Sequence, residues 1–339
     1  MAVVKPFRAE RYDESVAGPL EQLVAPPYDV ITPGEREDYL RRNPHNVVHL
    51  TLPDEEGQAA RDLAGWRRKG ALHRDEEPAY WLLSQDYIGP DGVPRTRSGL
   101  VASLRVEPYE TGVVLPHERT HAGPKEGRLR LLRATRTHLE PIFLLYEGDP
   151  IALPAREPDV RSGGDKLWRV EAAPDFDDVQ LLIADGHHRY ETALAYAGEG
   201  GSPYLMVVLV PTRQEGLTIF PTHRVAEQVD GARGEPIEEP GDELPGVVLY
   251  RGGQYELLQG DGLDVDVVER IAPQGVSYTP QRAEAVATVD RGEAEAAFLL
   301  RPTRIEDVWD VARSGRTMPQ KSTYFFPKLT SGLLFHPLD

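Results

Sequence analysis

Residues 181–196 read LLIADGHHRYETALAY, an apolar run followed at once by a polar turn and a helix-forming segment. A short continuous apolar run such as 181–184 is typical of a buried strand. Asp185 is a natural N-cap residue, and Gly186 supplies the backbone freedom that a sharp turn needs. We therefore predict a strand that ends at Ala184 and a helix that begins near His188. This strand-to-helix turn, residues 181–196, is called the elbow.

The elbow has the features of an anion-binding site. Its helix N-terminus offers free N–H groups and a positive potential that attract anions. His187, His188 and Arg189 add cationic donors to the first turn, where the helix dipole favours acidic residues instead. A local preference broken in this way often marks a functional site. The alternative is that Asp185 caps the helix and the other side chains are solvated surface.

A second polar motif is LPHERTHAGPKEGR at 115–128, in which His117, Glu118 and His121 match the zinc-protease pattern H-E-x-x-H. That pattern requires a long helix, whereas prolines and a glycine lie close on both sides of this segment. No third ligand is evident, so we expect no zinc. Glu118 as a lone acid or base beside an anion pocket is the favoured interpretation, and a plain surface turn is the alternative.

Two downstream motifs carry further groups that suit a phosphate. They are Thr222, His223 and Arg224 in FPTHRV (220–225), and Lys321 and Ser322 in MPQKSTYFFPK (318–328). The first motif could equally be a surface loop. The second could be an edge strand that packs its aromatic residues into the core, and both roles are compatible.

Strands and helices alternate irregularly along the chain, which favours an α/β (α+β) fold with a mixed, largely antiparallel sheet and a second smaller lobe. The apolar run SPYLMVVLVPT (202–212) predicts a buried central strand. We predict four regions: an N-terminal α/β region with the HERT motif (1–148), an elbow core (149–228), a small acidic α/β lobe (229–300) and a C-terminal segment that returns to the core (301–339).

Composition narrows the classes of function. The 339 residues carry a formal charge of −17 and no cysteine, which excludes disulfides and thiol catalysis. An acidic chain is a poor match for nucleic acid or anionic membranes, because both require a basic face. The chain shows neither a signal peptide nor an apolar span, so a cytoplasmic location is expected. The expected partner is a small anionic ligand or a nucleotide.

Several motifs occur in an order that resembles one protein family. They are VAPPYDVI, RNPHNVVHL, LPHERT, PIFLLYE, IADGHHRYETALAY, PTHR and MPQKSTYFFPKLTSGL. The chain resembles, over nearly its whole length, the bacterial and archaeal family catalogued as domain of unknown function 1015. It departs from that family at Gly127, where an acid is usual, and His121 is not a family feature.

The segment D-G-H-H-R at 185–189 is similar to one in the ParB/sulfiredoxin-like free-serine kinases. The resemblance implies a ParB/sulfiredoxin-like elbow that meets nucleotide phosphates. It also implies that an upstream glutamate activates the substrate hydroxyl. ParB relatives bind and hydrolyse a nucleotide at a similar place. The similarity covers about six residues and predicts a phosphate-handling site.

The leading hypothesis is a phosphotransferase that acts on a small hydroxylated metabolite such as free serine, with a nucleotide or diphosphate as donor and Mg²⁺ to carry charge. Glu118 would be the general base. Asp185 would orient a histidine or bind the metal. The phosphoryl group would be held by His187, His188 and Arg189, with Arg224 and Lys321 completing the pocket.

Two alternatives remain open. A phosphatase or nucleotidase would use the same pocket with water as the acceptor. A non-enzymatic ParB-like nucleotide-binding adaptor would bind the nucleotide without turnover, although the charge of −17 argues against a DNA-binding role.

Overall fold

The computed structural model describes residues 1–118, 122–229, 231–272 and 274–338. For residues 122–124 it describes only the backbone. His121, the second histidine of the H-E-x-x-H pattern, lies outside the described residues. Among the described residues, no helix combines the length and the apolar character that crossing a bilayer requires.

The helices are α1 (Glu14–Ala17), α2 (Pro33–Arg42), α3 (Val48–Thr51), α4 (Glu56–Lys69), α5 (Ala122–Thr135), α6 (His187–Gly198), α7 (Asp264–Ile271), α8 (Arg282–Asp290) and α9 (Ile305–Arg313). Local sequence explains several of their ends. Thr32 and Glu35 form a reciprocal capping box at the start of α2, and Gly70 ends α4 in the left-handed conformation.

The strands are β1 (Val4–Lys5), β2 (Glu10–Tyr12), β3 (Leu72–Arg74), β4 (Tyr80–Ile88), β5 (Pro94–Arg105), β6 (Val114–Leu115), β7 (Thr137–His138), β8 (Ile142–Tyr146), β9 (Val160–Ser162), β10 (Asp165–Val170), β11 (Leu181–Asp185), β12 (Tyr204–Pro211), β13 (Thr218–Phe220), β14 (His223–Ala226), β15 (Glu235–Ile237), β16 (Val247–Arg251), β17 (Gln254–Leu258), β18 (Val276–Thr279), β19 (Ala296–Leu299), β20 (Tyr324–Phe326) and β21 (His336–Pro337).

The main sheet has nine strands in the order β6-β11-β8-β12-β5-β4-β10-β9, with β1 added beside β5. Within it, β6 pairs with β11 and β8 pairs with β12 in parallel, and the other pairs are antiparallel. This confirms the expected α/β class with a mixed, largely antiparallel sheet. Strand β12 lies in the middle of the sheet, where its continuous apolar run is buried on both faces.

A second sheet of six antiparallel strands has the order β15-β17-β16-β19-β14-β18. It forms the smaller lobe with α7 on one face and α8 on the other. Its strand β14 begins at His223, before the predicted lobe boundary at residue 229. The reason is that Val225 and Ala226 each enter a different core of this sheet, which ties the strand to the lobe.

Both faces of the main sheet are covered by apolar side chains. On one face, the elbow helix α6 buries Tyr190 and Ala193 against strand residues such as Ile183. On the other face, Phe325 and Phe335 join the N-terminal helices in a single core. The elbow is therefore packed on both faces of the sheet, and its polar turn lies at the C-terminal end of β11.

The segment 318–338 passes close to the end of β11 and contacts parts of the chain that are distant in sequence. The Met318 N–H donates to the His117 carbonyl at 2.7 Å. Further along, Ser331 exchanges backbone bonds with Ala25, and β21 pairs with β7. The segment therefore brings the motif at 318–328 beside the elbow and the HERT motif.

Gly99 on β5 has no room for a side chain. A Cβ there would lie 2.8 Å from Val210 Cγ2 and 2.9 Å from Val208 Cγ1, on stiff β-branched neighbours of β12. We expect Gly99→Ala to lower the free energy of unfolding by about 1–3 kcal/mol, as overpacking usually does, measured by urea unfolding. Gly198→Ala is the control, because no atom lies within 4 Å of its Cβ position. Equal stability of the two variants would contradict the expected steric conflict.

Candidate functional site

The elbow forms as a strand followed directly by a helix. Strand β11 ends at Asp185, Gly186 occupies the N-cap with φ of +97°, and α6 begins at His187. No side chain caps this helix, so the predicted N-cap role of Asp185 is wrong. The reason is electrostatic, because two cationic side chains engage its carboxylate instead. The N–H groups of the first turn are thus not capped by Asp185.

Asp185 lies between Lys328 and Arg189. The Lys328 Nζ donates to Oδ1, and Arg189 Nη2 donates to Oδ2 at 2.8 Å. Only 11–19% of each of these three side chains is exposed. Burial alone would raise the pKa of Asp185, but the attraction of Lys328 and Arg189 outweighs it and holds that pKa well below its usual range. The cluster therefore contains one anion and two cations.

Arg189 is anchored further by the backbone behind the elbow. Its Nη1 donates to the Pro141 carbonyl at 2.6 Å. The neighbouring Glu140 is buried and accepts the Tyr28 N–H at 3.0 Å and the Ser331 hydroxyl at 2.8 Å. Burial raises the pKa of Glu140, while the charge of Arg189 opposes that rise. Arg189 therefore fixes the geometry of the Asp185 cluster as well as contributing charge.

Glu118 lies within electrostatic range of the same cluster. Its backbone forms a parallel bridge with Met318, which brings the start of the C-terminal motif alongside. Burial raises the pKa of Glu118 to about 7, against the lowering effect of Lys321 and Lys328 and together with the raising effect of Asp185. A carboxyl group with such a pKa exchanges a proton near neutrality, as a general base must.

Two histidines support this region from within. His117 is fully buried, its Nδ1 donates to the Ile183 carbonyl at 2.6 Å, and its Nε2 lies 2.8 Å from the Thr323 hydroxyl. The His117 N–H donates to His187 Nε2 at 3.4 Å, which leaves Nδ1 as the donor of a neutral His187 ring. Burial holds the pKa of His187 well below its usual value. In the described part of the chain, no three His, Asp or Glu residues are grouped to hold a metal ion.

We expect His117 to stay neutral in mildly acidic solution, because burial lowers its pKa to about 4. An unfolded histidine titrates near 6.5, so the unfolded state binds more protons between these values. The contribution of His117 to stability is therefore lost as the pH falls from 6.5 to 4, by about 1.4 kcal/mol per pH unit. NMR titration of the ring measures the pKa, and His117→Gln should show a shallower loss of stability over this window. A ring pKa near 6.5 would refute the expectation.

The motif at 220–225 divides between the site and the smaller lobe. Arg224 is buried, donates from Nη1 to the Thr222 carbonyl at 2.6 Å and from Nη2 to the Lys321 carbonyl at 3.3 Å, and lies within electrostatic range of Glu118. His223 points to the lobe, where its Nδ1 accepts the Leu300 N–H at 3.1 Å. The structure thus brings Arg224 to the site and places the ring of His223 in the lobe.

Ser322 and His188 complete the set of predicted residues. Ser322 is buried, and its hydroxyl donates to the Pro319 carbonyl at 2.6 Å. This bond closes a turn over residues 319–322 that contains Lys321, whose φ is +58°. His188 is half-buried in the first turn of α6, and its carbonyl accepts the Thr192 hydroxyl at 2.8 Å.

Sequence reasoning missed Lys328 as a site residue, and also the buried support from His117 and Thr323. Lys328 is one of only six lysines in the chain and lies in the specific motif at the C-terminal end. That scarcity was the available signal. Its partner, Asp185, is 143 residues away, so the pairing itself left no local pattern.

Comparison with known proteins gives one family match. The family model described as "Protein of unknown function (DUF1015)" matches residues 4–244. No curated protein matches the chain.

Several solved structures show a partial similarity to the chain. SbnI with a C-terminal truncation, from Staphylococcus aureus, is 15% identical with a TM-score of 0.44, over 67% of this chain and 84% of that one. A free serine kinase in complex with AMP is 16% identical with a TM-score of 0.39, over 65% and 89%. A conserved hypothetical protein from Pyrococcus furiosus is 15% identical with a TM-score of 0.38, over 65% and 92%.

Proposed function

We propose that this chain, which belongs to the DUF1015 family of proteins of unknown function, is a phosphotransferase that moves a phosphoryl group from a nucleotide or diphosphate to a small hydroxylated metabolite. The observation that carries the proposal is that Glu118 bridges to Met318 of the C-terminal motif and lies within electrostatic range of Lys321, Lys328 and Asp185. This arrangement combines a carboxylate base with cations that suit phosphate oxygens.

The reaction follows from this arrangement. The acceptor hydroxyl oxygen attacks the terminal phosphorus of the donor, and its proton passes to the Glu118 carboxylate. The bond between that phosphorus and the bridging oxygen breaks, and the leaving nucleotide or phosphate keeps the bonding electron pair. Positioning and charge stabilisation supply most of the catalysis in reactions of this kind.

Charge that develops on the phosphoryl oxygens meets three kinds of donor. Lys328 bonds Asp185 at the end of β11, and Lys321 and Arg224 lie within electrostatic range of Glu118. The first N–H groups of α6 add the positive end of a helix dipole. Asp185 keeps the Lys328 ammonium in a fixed position. Because Lys328 and Arg224 are held by hydrogen bonds before a ligand binds, these two groups need little reorganisation during the reaction.

Magnesium is the cation expected with such a donor, and the residues fit only a minor protein contribution to its binding. Both Asp185 oxygens are engaged by cations, and the described residues hold no cluster of three or more metal-ligating groups. Mg²⁺ commonly binds phosphates with one or two carboxylates and several waters. We propose that the donor phosphates bring the ion, which neutralises part of their charge.

Free serine is the first acceptor that we propose to test. The support is the similarity of DGHHR, residues 185–189, to the segment in free-serine kinases. A small hydroxylated amino acid would place its hydroxyl at Glu118.

The experiment is a ³¹P NMR assay with Mg²⁺, a donor panel of ATP, ADP and diphosphate, and an acceptor panel that includes serine. The expected result is a new phosphomonoester signal that requires both donor and acceptor. Orthophosphate release that is independent of any acceptor would replace the proposal with a phosphatase or nucleotidase. Donor binding without turnover would favour the ParB-like adaptor.

A further inference from the structure

A cavity of about 440 Å³ opens beside Lys328, on the side of α2 and β20. Its wall includes Val30, Tyr39, Tyr324 and Phe326, so most of its surface is aromatic or aliphatic. Cavities of roughly 300–1,000 Å³ with such walls and a few polar groups are typical of small-molecule sites. The phosphoryl transfer described above uses Lys328 but none of these four wall residues.

The aromatic side chains of this wall are held in place. Tyr324 and Phe326 occupy alternate positions of β20 and therefore share one face, while Phe325 between them is buried in the core. The ring of Tyr39 lies under the Arg42 guanidinium, 4.5 Å from its centroid. Rings positioned in advance lose little freedom when a flat ligand stacks on them.

We infer that this cavity receives the base of a nucleotide donor, with Lys328 directing the attached phosphates toward the elbow. This inference rests on the proposed phosphotransfer and narrows its donor from any diphosphate to a nucleotide. The Lys328 Nζ lies 5.9 Å from the centroid of the Tyr324 ring, at the boundary between the aromatic wall and the Asp185 cluster. An inorganic diphosphate would engage the cations and leave the aromatic wall without a partner.

The cavity and the HERT motif meet the same short segment of the chain. Tyr324 lines the cavity, and the hydroxyl of the preceding Thr323 lies 2.8 Å from Nε2 of His117, the neighbour of Glu118. A nucleotide whose base rests on Tyr39 and Tyr324 would thus have its phosphates at Lys328, close to the HERT motif. The acceptor hydroxyl would then approach from the Glu118 side.

The test is calorimetric titration of the full chain with ADP and, separately, with inorganic diphosphate, each with Mg²⁺. We expect the wild type to bind ADP more tightly than diphosphate. Tyr39→Ala should weaken ADP binding about 10-fold, within the range of base–aromatic stacking, and leave diphosphate binding unchanged. Tyr39→Phe is the matched control and should bind both ligands as the wild type does.

A second variant tests the cavity independently, in case Tyr39→Ala does not fold. Val30 is 39% exposed at the cavity wall, so Val30→Trp should fold and fill the cavity, which would block ADP while diphosphate still binds. Equal affinity of the wild type for ADP and diphosphate, or ADP binding that neither variant weakens, would overturn the inference. Transfer from diphosphate would still be measurable in that case, so the proposed function would stand. Absence of both binding and transfer would reject the two together.

Discussion

Replacement of Glu118 by glutamine is expected to lower the rate of phosphoryl transfer by about 10²–10⁴-fold while donor binding is preserved, because the variant keeps the shape of the side chain and loses its base. In the proposed mechanism the donor is held by Lys328 and the helix N-terminus, which this change leaves in place. The rate comes from the ³¹P assay, and donor affinity comes from calorimetry. Turnover retained in Glu118→Gln would remove Glu118 from the catalytic role.

The pH dependence gives an independent check on the same residue. The pKa of Glu118 is raised to about 7, and a general base is active only when ionised. The transfer rate of the wild type should therefore fall as the pH drops below about 7, and the residual rate of Glu118→Gln should lack this step. Glu126→Gln is the matched control, because its side chain is 79% exposed on the neighbouring helix α5.

Substitution of Asp185 by asparagine is expected to lower the free energy of unfolding by about 3–5 kcal/mol. The change leaves Lys328 and Arg189 buried together without the anion between them, and uncompensated buried charge has a cost of this size. Urea unfolding measures the loss. Asp86→Asn is the control, since its ion pair with Lys166 is much more exposed and should contribute less than about 1 kcal/mol.

A double variant separates stability from function at this cluster. Asp185→Asn combined with Lys328→Met removes one anion and one cation, so it should recover part of the stability that Asp185→Asn loses. Phosphoryl transfer should be absent from the double variant, because the ammonium proposed to meet the donor phosphates is gone. Recovery of transfer in the double variant would show that Lys328 acts only as a structural partner. Equal stability of Asp185→Asn and the wild type would contradict the charge argument itself.

The parts of the fold that could be predicted from sequence are governed by local signals. The residues Thr32 and Glu35 have the spacing of a capping box, which is typical of a helix start such as that of α2 (Pro33–Arg42). An unbroken apolar run predicts the central strand β12. The elbow could also be predicted from sequence, because the strand pattern changes to a helix pattern across a single Asp-Gly pair. Each of these signals depends on residues only a few positions apart. Over that distance the local sequence largely determines the backbone conformation.

The partners inside the site could not be predicted in the same way. Asp185 is a residue type that often caps helices, yet in the folded chain Lys328 and Arg189 donate hydrogen bonds to its carboxylate. Glu140 likewise meets Tyr28 across 112 residues. Arg189 lies only four residues after Asp185, but the pairs with Lys328 and Tyr28 depend on how distant segments of the chain pack together. No periodicity within one segment records that packing.

The return of residues 318–338 to the elbow has a consequence for how the protein is made. Lys328 bonds Asp185, which lies 143 residues earlier in the chain. Phe335 likewise forms an antiparallel bridge with Glu10, near the start of the described residues. During synthesis from the N-terminus, the elbow therefore leaves the ribosome long before its ammonium partner exists. Until then Asp185 has Arg189 alone as its partner. In the proposed mechanism, a nascent chain therefore gains the Lys328 ammonium, and with it the proposed transfer activity, only after residues 318–338 have emerged.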